Sequence, residues 1–261
     1  MIIDFNLGLI LLAGGILGLV SGYLGSLMLP RRLTLVIDPL SHLALPGVAL
    51  ALILNQNVIL FAFIFLLAAS FLIWVLELET KLPLENIIAI LFTVSLAFTL
   101  IFFEEHQLEE ALIGDISKLS LIDSLIIILI SLIILLLTIR IYHQLTLLAI
   151  SEDLVLAEKI KIKQYQFIFL ICLSLLIALG VKFVGGLLIA GLIALPSASA
   201  KNLSNSLLSY KLLSSLFGLL TVVGGLILFK LTTFPAGPLI IIVGFLFFGF
   251  SLTGKRLNLK I

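Results

Sequence analysis

The chain has 261 residues, of which 62% are hydrophobic and 11% charged, with a formal net charge of +1. A water-soluble domain carries about 25% charged residues, so this composition excludes an ordinary soluble fold, and the near-zero charge gives no sign of a nucleic-acid partner. Apolar runs do not alternate as barrel strands would, and each is long enough to cross a bilayer as a helix of about 20 residues. The expected fold is all-α, a single polytopic transmembrane helical bundle over residues 1–261 with no nucleotide-binding domain.

Taken in chain order, the first span covers residues 7–29. It has no basic region before it and no small-residue cleavage site after it, so it reads as a retained span rather than a signal peptide. The second, residues 33–54, holds a carboxylate and an imidazole, Asp38 and His42, inside an otherwise apolar stretch. Ionisable groups at such depth are costly and suggest function. Positions i and i+4 share a helix face, and one hard oxygen plus one borderline nitrogen suits a first-row divalent metal. Counting from Arg32, His42 falls about 15 Å into a core about 30 Å thick, near the midplane. Pro39 favours a helix that starts there with Asp38 as its N-cap; Pro46 and Gly47 interrupt the segment again a turn later. A path-lining role is favoured for both residues over a structural cap and a satisfied core histidine, because broken helices at mid-depth are typical of substrate paths. Two ligands leave a site incomplete, and a symmetric dimer would bring two such pairs to one axis.

Spans three to five follow at residues 58–76, 84–103 and 121–141. Between the last two lies an acidic loop with Glu104, Glu105, Glu109, Glu110, Asp115 and His106, read as a solvated connection. Residues 142–163 form the longest segment on the opposite side, where His143 is expected at the surface. Within it, Ser151 is placed as an N-cap followed by acidic first-turn residues Glu152 and Asp153, while Leu154, Leu156, Ala157 and Ile160 could make an apolar face. Such a helix needs a cover.

The remaining spans are residues 167–181, 184–200, 212–231 and 238–252, nine in all with eight possible. Cys172 stands alone in the sixth and reads as an inert buried thiol. Residues 180–200 are rich in small side chains, which favours a tight helix contact in lipid. With the N-terminus outside and the C-terminus inside, twelve of the fifteen basic residues collect on the inner side, leaving only Lys118, Lys182 and Lys230 outside. Nucleotide-binding loops, metalloprotease motifs and serine-hydrolase elbows are absent from the sequence, which lowers the odds of an enzyme. A stand-alone secondary metal-ion carrier is the rival class.

Several motifs, in order, carry a resemblance. The stretch from Gly25 through Leu29-Pro-Arg-Arg and Asp38-Pro-Leu-Ser-His-Leu-Ala-Leu-Pro-Gly to Ala49 resembles the signature of zinc/manganese ABC-transporter permeases. So do Gly114-Asp115, Ser151-Glu-Asp-Leu, Lys182-Phe-Val-Gly-Gly-Leu-Leu-Ile, Leu195-Pro-Ser-Ala-Ser-Ala and Pro235-Ala-Gly-Pro, with the forms at 182 and 235 closest to zinc-uptake members. The resemblance implies a homodimeric permease in a bacterial cell membrane, the inner membrane in a Gram-negative cell. It also implies an extracytoplasmic metal-binding protein and a separate cytoplasmic ATP-binding subunit. No permanent cofactor is implied: zinc, or alternatively manganese or ferrous iron, would be the transported substrate. Asp38 and His42 would lie on the metal path, and Ser151, Glu152, Asp153 and Leu154 in the ATPase coupling segment. Lys159 departs from a glycine common in relatives at that segment.

Overall fold

Residues 2–30, 33–80, 82–102, 116, 119–150 and 162–258 are described by the structure, a computed structural model. Ten α-helices account for most of them: α1 Ile2–Met28, α2 Ile37–His42, α3 Leu45–Ile53, α4 Val58–Thr80, α5 Leu84–Phe102, α6 Leu121–Ile150, α7 Ile162–Phe183, α8 Ile189–Leu203, α9 Leu207–Leu231 and α10 Ala236–Asn258. Among the described residues, seven helices are long and apolar enough to cross a membrane. Their outer faces expose large apolar side chains such as Ile101, Leu136, Leu231 and Phe250, a surface that only lipid or another apolar partner satisfies. The chain is a multi-pass membrane protein.

Two of the nine expected spans are not single long helices. Residues 33–54 are divided into a 3-10 turn, Leu33–Val36, followed directly by α2 and then α3. Residues 184–200 open as a turn before α8, which is 15 residues long. The reason for the second break is visible at Gly185, whose φ of 100° is left-handed backbone that favours glycine.

α1 is the central strut, packing along α9, α6 and α8. Gly14, Gly18 and Gly22 recur every fourth residue along one face, and a Cβ on Gly18 would collide with the backbone carbonyl of Gly218. Gly22 stands in the same relation to Ser214, whose hydroxyl donates to the Gly22 carbonyl. In lipid, where packing replaces the hydrophobic effect between helices, such seams let backbones approach. Of the small residues expected to make a tight contact, Gly191 faces Ile241 and Gly180 meets Ile189; Gly244 of α10, outside that stretch, meets Leu195 of α8. α7 is the most enclosed of the later helices, with Cys172 free and fully buried as expected.

Helix α6 runs on to Ile150, so His143 lies on a helix, exposed, rather than in a loop. No Gly or Pro interrupts residues 142–150, so nothing stops the helix where the apolar span ends.

Candidate functional site

The 3-10 turn feeds its backbone straight into α2, so the helix starts at Ile37 with Val36 in the N-cap position and no side-chain capping bond. Asp38 is therefore not the N-cap expected from Pro39. Proline is tolerated at the third helical position because the first-turn N–H groups have no intrahelical acceptor in any case. The consequence is that Asp38 and His42 do share one helix face: Nε2 of His42 lies 3.8 Å from Oδ1 of Asp38. The pair expected from i, i+4 spacing is formed, and Asp38 is released from a capping duty.

Their surroundings differ. The His42 side chain is 14% exposed and the Asp38 side chain 54%. The imidazole packs against Phe92 with ring centroids 5.3 Å apart, and the His42 carbonyl accepts a bond from Ser95 Oγ at 3.2 Å. Phe92 and Ser95 sit halfway along α5, so His42 is near mid-depth of a spanning helix, where counting from Arg32 had put it. Nδ1 of His42 is buried with no hydrogen-bond partner. Whichever tautomer the ring adopts, one nitrogen keeps a lone pair for a ligand.

Ser41, between the two, ties α2 to the glycine turn. Its hydroxyl is 2.7 Å from the Asp38 carbonyl and 3.0 Å from the Gly186 carbonyl, and its single proton is shared between them. Sequence reasoning passed over Ser41; its signal was a small hydroxyl inside an apolar run, one residue from the histidine. The second break follows at Leu43 and Ala44, and Pro46 opens α3 within its first turn.

One further ionic contact supports this region from the end of the bundle that holds the α6 N-terminus. Lys182 Nζ donates to Asp123 Oδ2 at 2.7 Å, with side-chain exposures of 17% and 7%. The same carboxylate oxygen accepts from the Ser120 amide at 3.0 Å and its hydroxyl at 2.9 Å, and Ser120 Oγ accepts from the Asp123 amide. These exchanges cap α6, and Lys182 fastens the last turn of α7 to it, three residues before the Gly185–Gly186 turn that Ser41 touches.

Among the described residues no group of three or more His, Cys, Asp or Glu side chains gathers into a metal cage. Among the described residues, the Asp38/His42 pair thus brings together two candidate donors. The expected coupling residues Ser151, Glu152, Asp153 and Leu154 lie outside the described residues, as does His106.

Comparison with known proteins decides the family. The model of the ABC 3 transport family matches residues 6–255. The chain belongs to that family. It is 33% identical over 250 residues to the high-affinity zinc uptake system membrane protein ZnuB of Haemophilus influenzae, covering 93% of this chain and 95% of that one. It is 29% identical to the manganese import system permease protein ScaB of Streptococcus parasanguinis, covering 89% and 84%. Among solved structures it resembles PsaBC from Streptococcus pneumoniae, captured with a Fab, with a TM-score of 0.82 and 28% identity over 100% of both chains. Helical fold, multi-pass architecture and membership of a transport family agree with one another.

Proposed function

We propose that this ABC 3 family chain is the membrane-spanning permease subunit of a bacterial importer for a divalent metal ion, with zinc as the substrate and manganese or ferrous iron as the alternatives. The observation that carries the reading is the Asp38/His42 pair: two donors of suitable type on a broken span, 3.8 Å apart, at mid-depth of α5. Relatives named for zinc uptake and for manganese import support the same substrate class. Carboxylate and imidazole suit all three ions, so donor type alone does not set the choice.

In this reading the metal passes from an extracytoplasmic metal-binding protein into the bundle and is met by Asp38 Oδ1 and an unprotonated His42 nitrogen. The two supply a hard anionic donor and a neutral borderline one, replacing part of the hydration shell. Asp38 presents its exposed side away from the bundle, where the same pair from a second copy of the chain would complete the coordination. The N-terminus is outside and the C-terminus inside, as the distribution of basic residues supports. The chain itself hydrolyses nothing: a separate cytoplasmic ATP-binding subunit does, docking at Ser151, Glu152, Asp153 and Leu154.

The test is metal uptake by cells carrying the chain with its partner subunits. Asp38→Asn keeps the shape and removes the charge; His42→Ala removes the nitrogen. Each is expected to cut uptake by at least about tenfold, the lower range for losing even an outer partner of a metal ligand, with membrane insertion unchanged. Normal uptake by Asp38→Asn would take Asp38 out of the path. Transport by the chain alone in liposomes, without an ATPase, would replace the importer with a secondary carrier.

A further inference from the structure

A second polar site lies away from the Asp38/His42 pair, at the opposite end of α6 from Asp123. A cleft of about 350 Å³ opens there between α6 and α9, lined by Tyr142, His143, Thr146, Leu207, Leu208 and Lys211 together with Ile139. Both helices pack on α1, and Tyr142 of the cleft lining leans on it. Tyr23 of α1 stacks against Tyr142 with centroids 5.3 Å apart, and Ser26 Oγ lies 3.2 Å from the Tyr142 hydroxyl. Lys211 lies in the second turn of α9, and its Nζ sits 5.0 Å from the centre of the Tyr142 ring. That ring is held from two sides and fixes where the ammonium group stands.

Depth decides what such a cleft can meet. Tyr142 follows Leu121, the start of α6, by about 21 residues, or roughly 32 Å of helix against a hydrocarbon core of about 30 Å. The cleft therefore lies at headgroup level. Lys211, His143 and Thr146 supply its polar atoms; Ile139 leads inward along α6, while Leu207 and Leu208 border Lys211 from the start of α9, all three about half exposed. Below them on the same two helices, Leu136 and Leu212 are exposed towards the hydrocarbon. A cation over an aromatic floor, bordered by apolar side chains that continue into the membrane, is complementary to a molecule with an anionic head and apolar tails. Lys201 of α8 stands over Tyr210 at 5.6 Å, a second cation near Lys211.

We propose that the α6–α9 cleft binds the phosphodiester headgroup of an anionic phospholipid, with Lys211 as its principal contact and His143 and Thr146 beside it. A lipid wedged there would hold α6 and α9 at a set separation over α1. The site stands independently of which metal is carried or whether one is carried at all.

The experiment uses the full chain in mild detergent, titrated with phosphatidylglycerol or with phosphatidylcholine of the same acyl chains, retained lipid being read by native mass spectrometry. The expected result is one retained phosphatidylglycerol, little phosphatidylcholine, and retention weakened roughly fivefold by Lys211→Gln, the worth of one basic residue at an anionic surface. Lys211→Arg should retain the lipid, and Lys230→Gln, at the far end of α9, should leave it unchanged. Glycerol 3-phosphate should not displace it. Equal retention of the two lipids, or retention unaffected by Lys211→Gln, overturns the proposal. So does loss in Lys211→Arg together with Lys211→Gln, or displacement by glycerol phosphate. If Lys211→Gln releases a protein subunit while lipid retention is unchanged, a protein covers the cleft and the proposal also fails.

Discussion

Replacing Lys182 by methionine isolates what the ionic contact at the end of α7 contributes. The substitution keeps most of the side-chain volume and leaves the Asp123 carboxylate facing only the amide and hydroxyl of Ser120. Breaking a buried pair by removing one partner costs about 3–5 kcal/mol. The Lys182 side chain keeps 17% of its surface exposed, so the low end, about 3 kcal/mol, is expected here. Asp123→Asn alone should cost less, about 2 kcal/mol, because the amide can still accept from Ser120 and the ammonium group can lean outward. The double variant has no charge left to strand. It should cost about 3 kcal/mol rather than the sum of about 5, a coupling of about 2 kcal/mol. Unfolding of the lipid-reconstituted chain on titration with dodecyl sulfate gives the three differences. Hydrogen exchange at residues 184–188 gives a local readout, since the turn follows Lys182 directly and should open sooner in Lys182→Met. Additivity within about 0.5 kcal/mol would mean that the 2.7 Å contact does not bear on stability, and that Lys182 does not fasten the end of α7 to α6.

Two further predictions concern orientation and coupling. A cysteine at Asn57 should react with a membrane-impermeant thiol reagent once the outer barrier is opened, and one at Asn202 should not; Cys172 is buried and should stay silent, and the reverse pattern would invert the topology. Reversing the charges of Glu152 and Asp153 together should weaken binding of the ATPase or uncouple its hydrolysis from uptake without changing metal recognition, and retention of a normally coupled ATPase would remove that segment from the coupling role.

The long spans were legible because runs such as residues 58–76 and 121–137 offer no alternative to lipid contact or burial. Breaks were harder. Pro39 and Pro46 announced an interrupted span, but proline is compatible with the first turn of a helix, so neither residue marks the interruption itself. The chain breaks at the 3-10 turn Leu33–Val36 and again at Leu43–Ala44, leaving both prolines inside helices. The end of α6 was misjudged for the converse reason: polarity rises at Tyr142, yet no residue there stops a helix. Partners across the bundle were not legible at all. The close approach of Gly18 and Gly22 to α9 was not read from the sequence; the fold alone shows it. Lys182 counted as one of three external charges, with nothing in the sequence to pair it with a carboxylate 59 positions earlier.

In the metal path proposed above, the two donors divide into a fixed residue and an open one, and this division would bear on transport. His42 is held at its carbonyl by Ser95 and at its ring by Phe92, and Ser41 anchors the turn between it and Asp38 to Gly186. Asp38 is half exposed, and among the described residues its carboxylate contacts His42. An ion in transit must be bound well enough to enter and weakly enough to leave. A complete, rigid cage within one chain would satisfy the first demand and defeat the second. One positioned imidazole with one open carboxylate meets both, provided that the remaining ligands come from water or a second copy and can be withdrawn. The anchoring of Ser41 then acquires a role: movement of the Gly185–Gly186 turn would draw α2 with it, shifting Asp38 and His42 together against α5.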